Sequence, residues 1–132
     1  MGRINRLLLV ENEPKDLRFA TDAAVSVGIS EVEARTSLAA ARAYLEKGLE
    51  GEVPLPDGIV LDLDLGYESG YELLRLWHCS PRLSVIPLIV WSILGDHQRE
   101  ICKLFNVSAY VGKWEGATAF REALAKLEQT VS

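Results

Sequence analysis

The 132-residue chain carries only two cysteines, Cys79 and Cys102, far apart and outside any CxxC pattern. That excludes a disulfide framework and a cysteine-built zinc site. Long apolar runs are missing too. The run near the start, Leu7 to Val10, holds four residues, against the roughly 18 that a membrane span requires, and it is no secretory signal. Positive charge is in deficit: 14 Lys+Arg stand against 19 Asp+Glu, a net charge of −5. An acidic domain repels phosphate backbones and anionic bilayers, so neither nucleic acid nor membrane is expected as a direct partner. Gly2 hints at N-myristoylation, but Arg6 stands where that pattern needs Ser or Thr. There is no internal repeat and no low-complexity tract. These absences lead us to expect a cytoplasmic protein in a reducing compartment.

What is present is ordinary globular material: 48% hydrophobic and 25% charged residues. That suffices for one core without a metal or disulfide staple, so residues 1–132 are expected to form a single domain with no output domain attached. Five short runs read as strands: Arg6–Val10, Glu31–Thr36, Ile59–Asp62, Val85–Trp91 and Ala109–Gly112. All but the second are continuously apolar and β-rich, as strands covered on both faces are. The second alternates, as an edge strand would.

Helical spacing fills the gaps. Pro14 suits a first turn, with Leu17, Ala20 and Ala24 following until Gly28. Ser37 can cap a second helix (Leu38, Ala41, Leu45) that closes at Gly48. Ser69 with Glu72 has the spacing of a capping box for a third, which Pro81 ends. Asp96 can cap a fourth, and Phe120, Leu124 and Leu127 define the inner face of a fifth. Gly48–Gly58 reads as a loop. Strand and helix alternating five times imply parallel strands and a doubly wound α/β sheet.

In such sheets, sites form beyond the carboxyl ends of the strands. Polar residues collect there: Glu11-Asn12-Glu13 after the first strand, Asp62 and Asp64 after the third, Ser92 at the end of the fourth, Lys113 after the fifth. Crowded carboxylates raise one another's pKa unless a cation sits among them. Mg²⁺, a hard oxygen-seeking ion, relieves that repulsion. One carboxylate can then attack phosphorus to give an aspartyl phosphate, with a lysine and a hydroxyl bonding the phosphoryl oxygens.

The chain resembles a response-regulator receiver domain, the phosphoacceptor of two-component phosphorelay signalling. The resemblance spans essentially the whole chain. It rests on Leu7-Leu8-Leu9-Val10-Glu11-Asn12-Glu13-Pro14, on Ile59-Val60-Leu61-Asp62-Leu63-Asp64-Leu65 with Gly70 eight residues beyond Asp62, on Ile86-Pro87-Leu88-Ile89-Val90-Trp91-Ser92, and on Ala109-Tyr110-Val111-Gly112-Lys113. It implies a flavodoxin-like five-stranded sheet of order 2-1-3-4-5 with helices on both faces. It implies Asp62 as phosphoacceptor, with Ser92 and Lys113 bonding the phosphoryl group. Glu11, Asn12, Asp62 and the backbone carbonyl of Asp64 would hold Mg²⁺. Ser92 and Tyr110 would be the switch pair. A sensor histidine kinase or histidine phosphotransfer protein would be the donor, and a downstream protein the target. The protein-binding face would combine the fourth helix, fifth strand and fifth helix, where a homodimer could also form. The finer match is to the single-domain receivers that partner bacterial phytochromes.

Four departures from the family pattern stand out. Asn12 replaces an aspartate, which removes one negative charge from the metal site. Gly66 replaces a proline and should loosen its loop. Ile93 replaces Ala or Gly and should crowd the approach to Asp62. Trp114 replaces the proline after Lys113, where a cis bond would cost about 2.5–4 kcal/mol, so trans is expected. Asn12, Ile93 and Trp114 together motivate an alternative, a degenerate receiver acting as a phosphorylation-independent interaction module. A phosphatase of the haloacid-dehalogenase type, suggested by Asp62-Leu63-Asp64, lacks its later acidic metal motif. Plain packing or surface roles compete at each position. Glu13 reads as a helix-start charge, His78 and His97 as surface residues, and Cys79, Cys102, Trp77 and Trp91 as packing. Asp64 and Leu94 should line the path of the water that ends the phosphorylated state.

Overall fold

A computed structural model describes residues 4–93 and 95–128. Gly2 and Leu94, for which the sequence raised specific roles, lie outside them. Five parallel strands form one sheet: β1 (Arg6–Val10), β2 (Glu31–Arg35), β3 (Gly58–Leu61), β6 (Leu88–Ser92) and β7 (Ala109–Gly112). Their order is β2-β1-β3-β6-β7, the expected 2-1-3-4-5 once the small hairpin β4 (Asp64–Leu65) and β5 (Glu68–Ser69) is counted. The helices are α1 (Pro14–Ser26), α2 (Leu38–Leu49), α3 (Tyr71–Cys79), α4 (Asp96–Leu104) and α5 (Gly116–Glu128).

The sheet is buried on both faces, because side chains alternate across a strand. Leu8, Val10, Ile59, Leu61, Leu88 and Val90 face α2, α3 and α4, meeting Leu45, Leu74, Trp77 and Cys102. Leu7, Leu9, Val60, Ile89 and Trp91 face α1 and α5, meeting Ala20, Ala24, Phe120 and Leu124. Strands buried on both sides read as unbroken apolar runs, which is why the three central ones were plain in the sequence. β2, on the edge, keeps the alternating composition.

Several local expectations change. The strand expected from Val85 begins at Leu88, because Pro87 ends a run of turns in which Val85 is exposed. The Ser69–Glu72 capping box does not form. Gly70 occupies the N-cap of α3, and Ser69 Oγ accepts instead from the Tyr71 N–H at 3.2 Å. Asp96 is the first residue of α4, capped by Gly95 without a side-chain bond. Cys79 is exposed rather than packed, whereas Cys102 is buried. Gly66, at φ +78°, makes the turn of the β4–β5 hairpin, a conformation closed to proline. The hairpin is tied to α2 through Glu68 Oε1, which accepts from the Leu38 N–H at 3.0 Å.

Candidate functional site

The carboxyl ends of β1, β3 and β7 bring three groups together. Glu11 and Asp62 immediately follow β1 and β3, and both are buried. Lys113 follows β7, its side chain 11% exposed. The Lys113 ammonium lies 3.0 Å from Asp62 Oδ2 and 2.8 Å from Glu11 Oε1. The residues expected to be catalytic at positions 62 and 113 therefore touch directly. The loop that follows β3 is shaped by close backbone packing. A Cβ on Gly70 would come within 2.4 Å of the Asp62 carbonyl oxygen and 2.8 Å of Leu63 Cα. That is the physical reason for a glycine at this spacing.

The other oxygens of the two buried acids are held by backbone. Asp62 Oδ1 accepts from the Asp64 N–H at 2.9 Å, and Glu11 Oε2 from the Glu13 N–H at 3.0 Å. Both turns leave the opposite oxygen facing Lys113. Glu13 is the N-cap of α1, its Oε1 accepting from the Lys15 N–H, in keeping with its reading as a helix-start charge.

A fourth group was not singled out from the sequence. Asp16, in the first turn of α1, accepts from Lys113 Nζ at 2.6 Å. Three carboxylates therefore surround one ammonium. Below it, the Trp91 ring centroid is 4.8 Å from Nζ, and that ring stacks on Phe19 and packs on Phe120. Trp91 is packing, as read, but also the floor of the site. The signal for Asp16 was weak: its distance from Glu11 in sequence is set by the α1 cap and fits no strand-end position.

Burial pushes the Glu11 carboxyl up from 4.5 to about 7; Lys113 opposes this and the Asp62 charge adds to it. Burial works against the Lys113 ammonium, but its bonds to Asp16, Glu11 and Asp62 outweigh burial and raise its pKa above the usual lysine range.

The remaining predicted residues are spread around this centre. Asn12 and Asp64 are exposed on the rim of a cavity of about 290 Å³ that Glu11, Asp16, Asp62 and Lys113 also line. The Asp64 side chain accepts from the Gly66 N–H at 3.2 Å. Ile93 also lines the cavity and is 61% exposed. Ser92 is fully buried at the end of β6, in register with Gly112. Tyr110 is half-buried on β7 under the Arg99 guanidinium, 5.0 Å from its ring centroid. Burial raises its phenol to about 12. No peptide bond among the described residues is cis. Lys113–Glu115 instead form a 3₁₀ turn, whose Glu115 Oε2 accepts from the Gly112 N–H.

The donor chemistry suits a hard divalent cation. Glu11, Asp16 and Asp62 supply carboxylate oxygens, and together with the Lys113 ammonium carry a net charge of −2 when all are ionised. Glu11 Oε1 is buried, with the Lys113 ammonium 2.8 Å away. Among the described residues no three His, Cys, Asp or Glu side chains converge as metal ligands; the oxygens converge on Nζ. No described helix is long and apolar enough to cross a membrane.

This fold is that of response-regulator receiver domains. Among solved structures, the phosphorylated cyanobacterial phytochrome response regulator RcpA is 25% identical, with TM-score 0.80, covering 97% of this chain and 94% of its own. The bacteriophytochrome response regulator RtBRR is 28% identical, TM-score 0.80, over 94% of this chain and 78% of that one. The Mn²⁺-bound form of response regulator Rcp1 is 24% identical, TM-score 0.78, over 95% and 92%. No protein-family model and no curated protein matches the sequence.

Proposed function

We propose that this chain is a phosphoacceptor receiver that takes a phosphoryl group from a phosphohistidine onto Asp62. The observation that carries the reading is the direct Lys113–Asp62 contact at 3.0 Å beside buried Glu11. An Asp62 carboxylate oxygen attacks phosphorus and the P–N bond breaks, its electron pair staying on the donor imidazole, which leaves neutral with the proton its other ring nitrogen already carries. Lys113 holds Asp62 in place and offers positive charge where phosphoryl oxygens develop. A divalent cation held by Glu11 and Asp62, with Asn12 and the Asp64 carbonyl at the rim, would neutralise the same oxygens; Mg²⁺ is the ion we assign.

Ser92 ends the strand beside β3 and supplies the hydroxyl for the phosphoryl group. Its turning would free space for Tyr110, a two-state element at the groove where β7 meets α4. That groove, in which Arg99 covers Tyr110, is the surface read by a downstream protein. RcpA, phosphorylated in its crystal structure, is a precedent for the chemistry.

The test is mass spectrometry after incubation with a small acyl phosphate and Mg²⁺. Wild type gains one phosphate and Asp62→Ala gains none. Equal labelling of both refutes the assignment. Asn12, exposed and neutral at the rim, favours the interaction-module reading. That reading wins if wild type takes no label while Asn12→Asp does.

A further inference from the structure

Lys113 has more partners than its role requires, and they are not equivalent. Glu11 and Asp62 are buried, each with its second oxygen fixed by a backbone N–H. In the proposed function both also face the divalent cation. Asp16 stands apart. It projects from the first turn of α1, is 34% exposed, makes the shortest contact to Nζ at 2.6 Å, and belongs to no strand end. The indole of Trp91 closes the ammonium from the remaining side at 4.8 Å.

We infer that Asp16 is the positioning residue for Lys113 in the metal-loaded protein. This rests on the receiver reading above. A divalent cation engaging Glu11 and Asp62 takes two of the lysine's three anionic partners. It also places a second positive charge close to the ammonium, and like charges at such range repel. Without a further anion, Lys113 would leave for solvent, since its four-carbon stem is flexible and its head strongly hydrated. Asp16 and the Trp91 ring face keep it at the Asp62 side of the cavity, where the phosphoryl oxygens arrive. The same carboxylate adds negative charge to a cluster that has Asn12 where the family pattern has an aspartate.

The experiment follows the amine of Lys113 by acetylation footprinting and mass spectrometry, with and without saturating Mg²⁺. Trp fluorescence reports cation binding in parallel. Wild type is expected to stay protected in both states. Asp16→Ala is expected to be protected without the ion, where Glu11 and Asp62 hold the lysine, and to become more reactive by roughly five-fold with it. Asp16→Glu should restore protection. Glu13→Gln removes a neighbouring charge that does not touch Lys113 and should behave as wild type.

Protection of Asp16→Ala at saturating Mg²⁺ overturns the inference. So does full reactivity of that variant before the ion is added, or Glu13→Gln matching it. Absence of any fluorescence response to Mg²⁺ in wild type would instead overturn the divalent-cation part of the receiver reading, and this inference with it.

Discussion

The buried Glu11 makes stability depend on pH in a calculable direction. Its carboxyl titrates at about 7 in the folded chain against 4.5 as a model group, chiefly because burial disfavours the charged form. Between those values the native protein holds a proton that the unfolded chain has lost. Stability therefore falls as pH rises from about 4.5 to 7 and levels off above. At about 1.4 kcal/mol per tenfold, the limit is about 3 kcal/mol. Glu11→Gln keeps the shape and the neutral charge of the protonated acid. Its metal-free stability should be nearly flat from pH 5 to 8 and exceed wild type at pH 8 by up to about 3 kcal/mol. Saturating Mg²⁺ should reverse the order, since only wild type offers the cation a carboxylate at position 11 as well as at Asp62. Urea unfolding followed by Trp fluorescence at several pH values, with and without Mg²⁺, measures both. Parallel wild-type and variant curves would refute the argument, because the pH dependence would then belong to another group.

Other perturbations separate the parts of the site. Gly70→Ala forces a Cβ to 2.4 Å from the Asp62 carbonyl oxygen, so it should cost about 1–3 kcal/mol and slow Asp62 labelling; thermal melts and the mass assay read the two effects. Lys113→Met leaves buried Glu11 and Asp62 beside Asp16 without a cation. It should lose about 3–5 kcal/mol at pH 8, less at pH 5 where Glu11 is protonated, and added Mg²⁺ should recover part; denaturant melts test this. Asn12→Asp adds a unit charge near the ion in water-like surroundings and should tighten Mg²⁺ binding by roughly tenfold, read from Trp fluorescence.

Much of the fold was legible because burial on two faces leaves a strong trace. The runs Leu7–Val10, Ile59–Leu61 and Leu88–Trp91 have no polar interruption and are rich in branched side chains, as strands buried on both faces are. The β4–β5 hairpin was not legible, since two-residue strands have no periodicity to detect and Gly66 reads equally as a loop residue. Of the caps inferred from residue type, Ser37 holds, its Oγ accepting from the Ala40 N–H at 3.1 Å, whereas those at α3 and α4 do not. Ser69 and Asp96 are good cappers in isolation, but the backbone ahead of α3 must pack against Leu63 and admits only Gly70 at that turn.

The site divides along the same line. Glu11, Asp62 and Lys113 could be brought together from the sequence because each follows an apolar strand, so its place is fixed by the sheet. Asp16 could not, because its place is fixed by the direction in which α1 leaves Glu13 and crosses over β1, which no spacing rule encodes. The consequence is electrostatic. Judged from strand ends alone, Asn12 leaves the cluster one negative charge short of the family pattern, with Glu11 and Asp62 remaining for a divalent ion. With Asp16 bonded to Lys113 at 2.6 Å, the lysine's charge is balanced from outside the strand ends, and a cation can take Glu11 and Asp62 as its two anionic arms without stripping the lysine of every partner. Whether a neutral residue at position 12 weakens the site therefore depends on a helix residue four positions later, and the double variant Asn12→Asp, Asp16→Ala should bind Mg²⁺ more tightly than Asp16→Ala alone while leaving Lys113 equally unprotected.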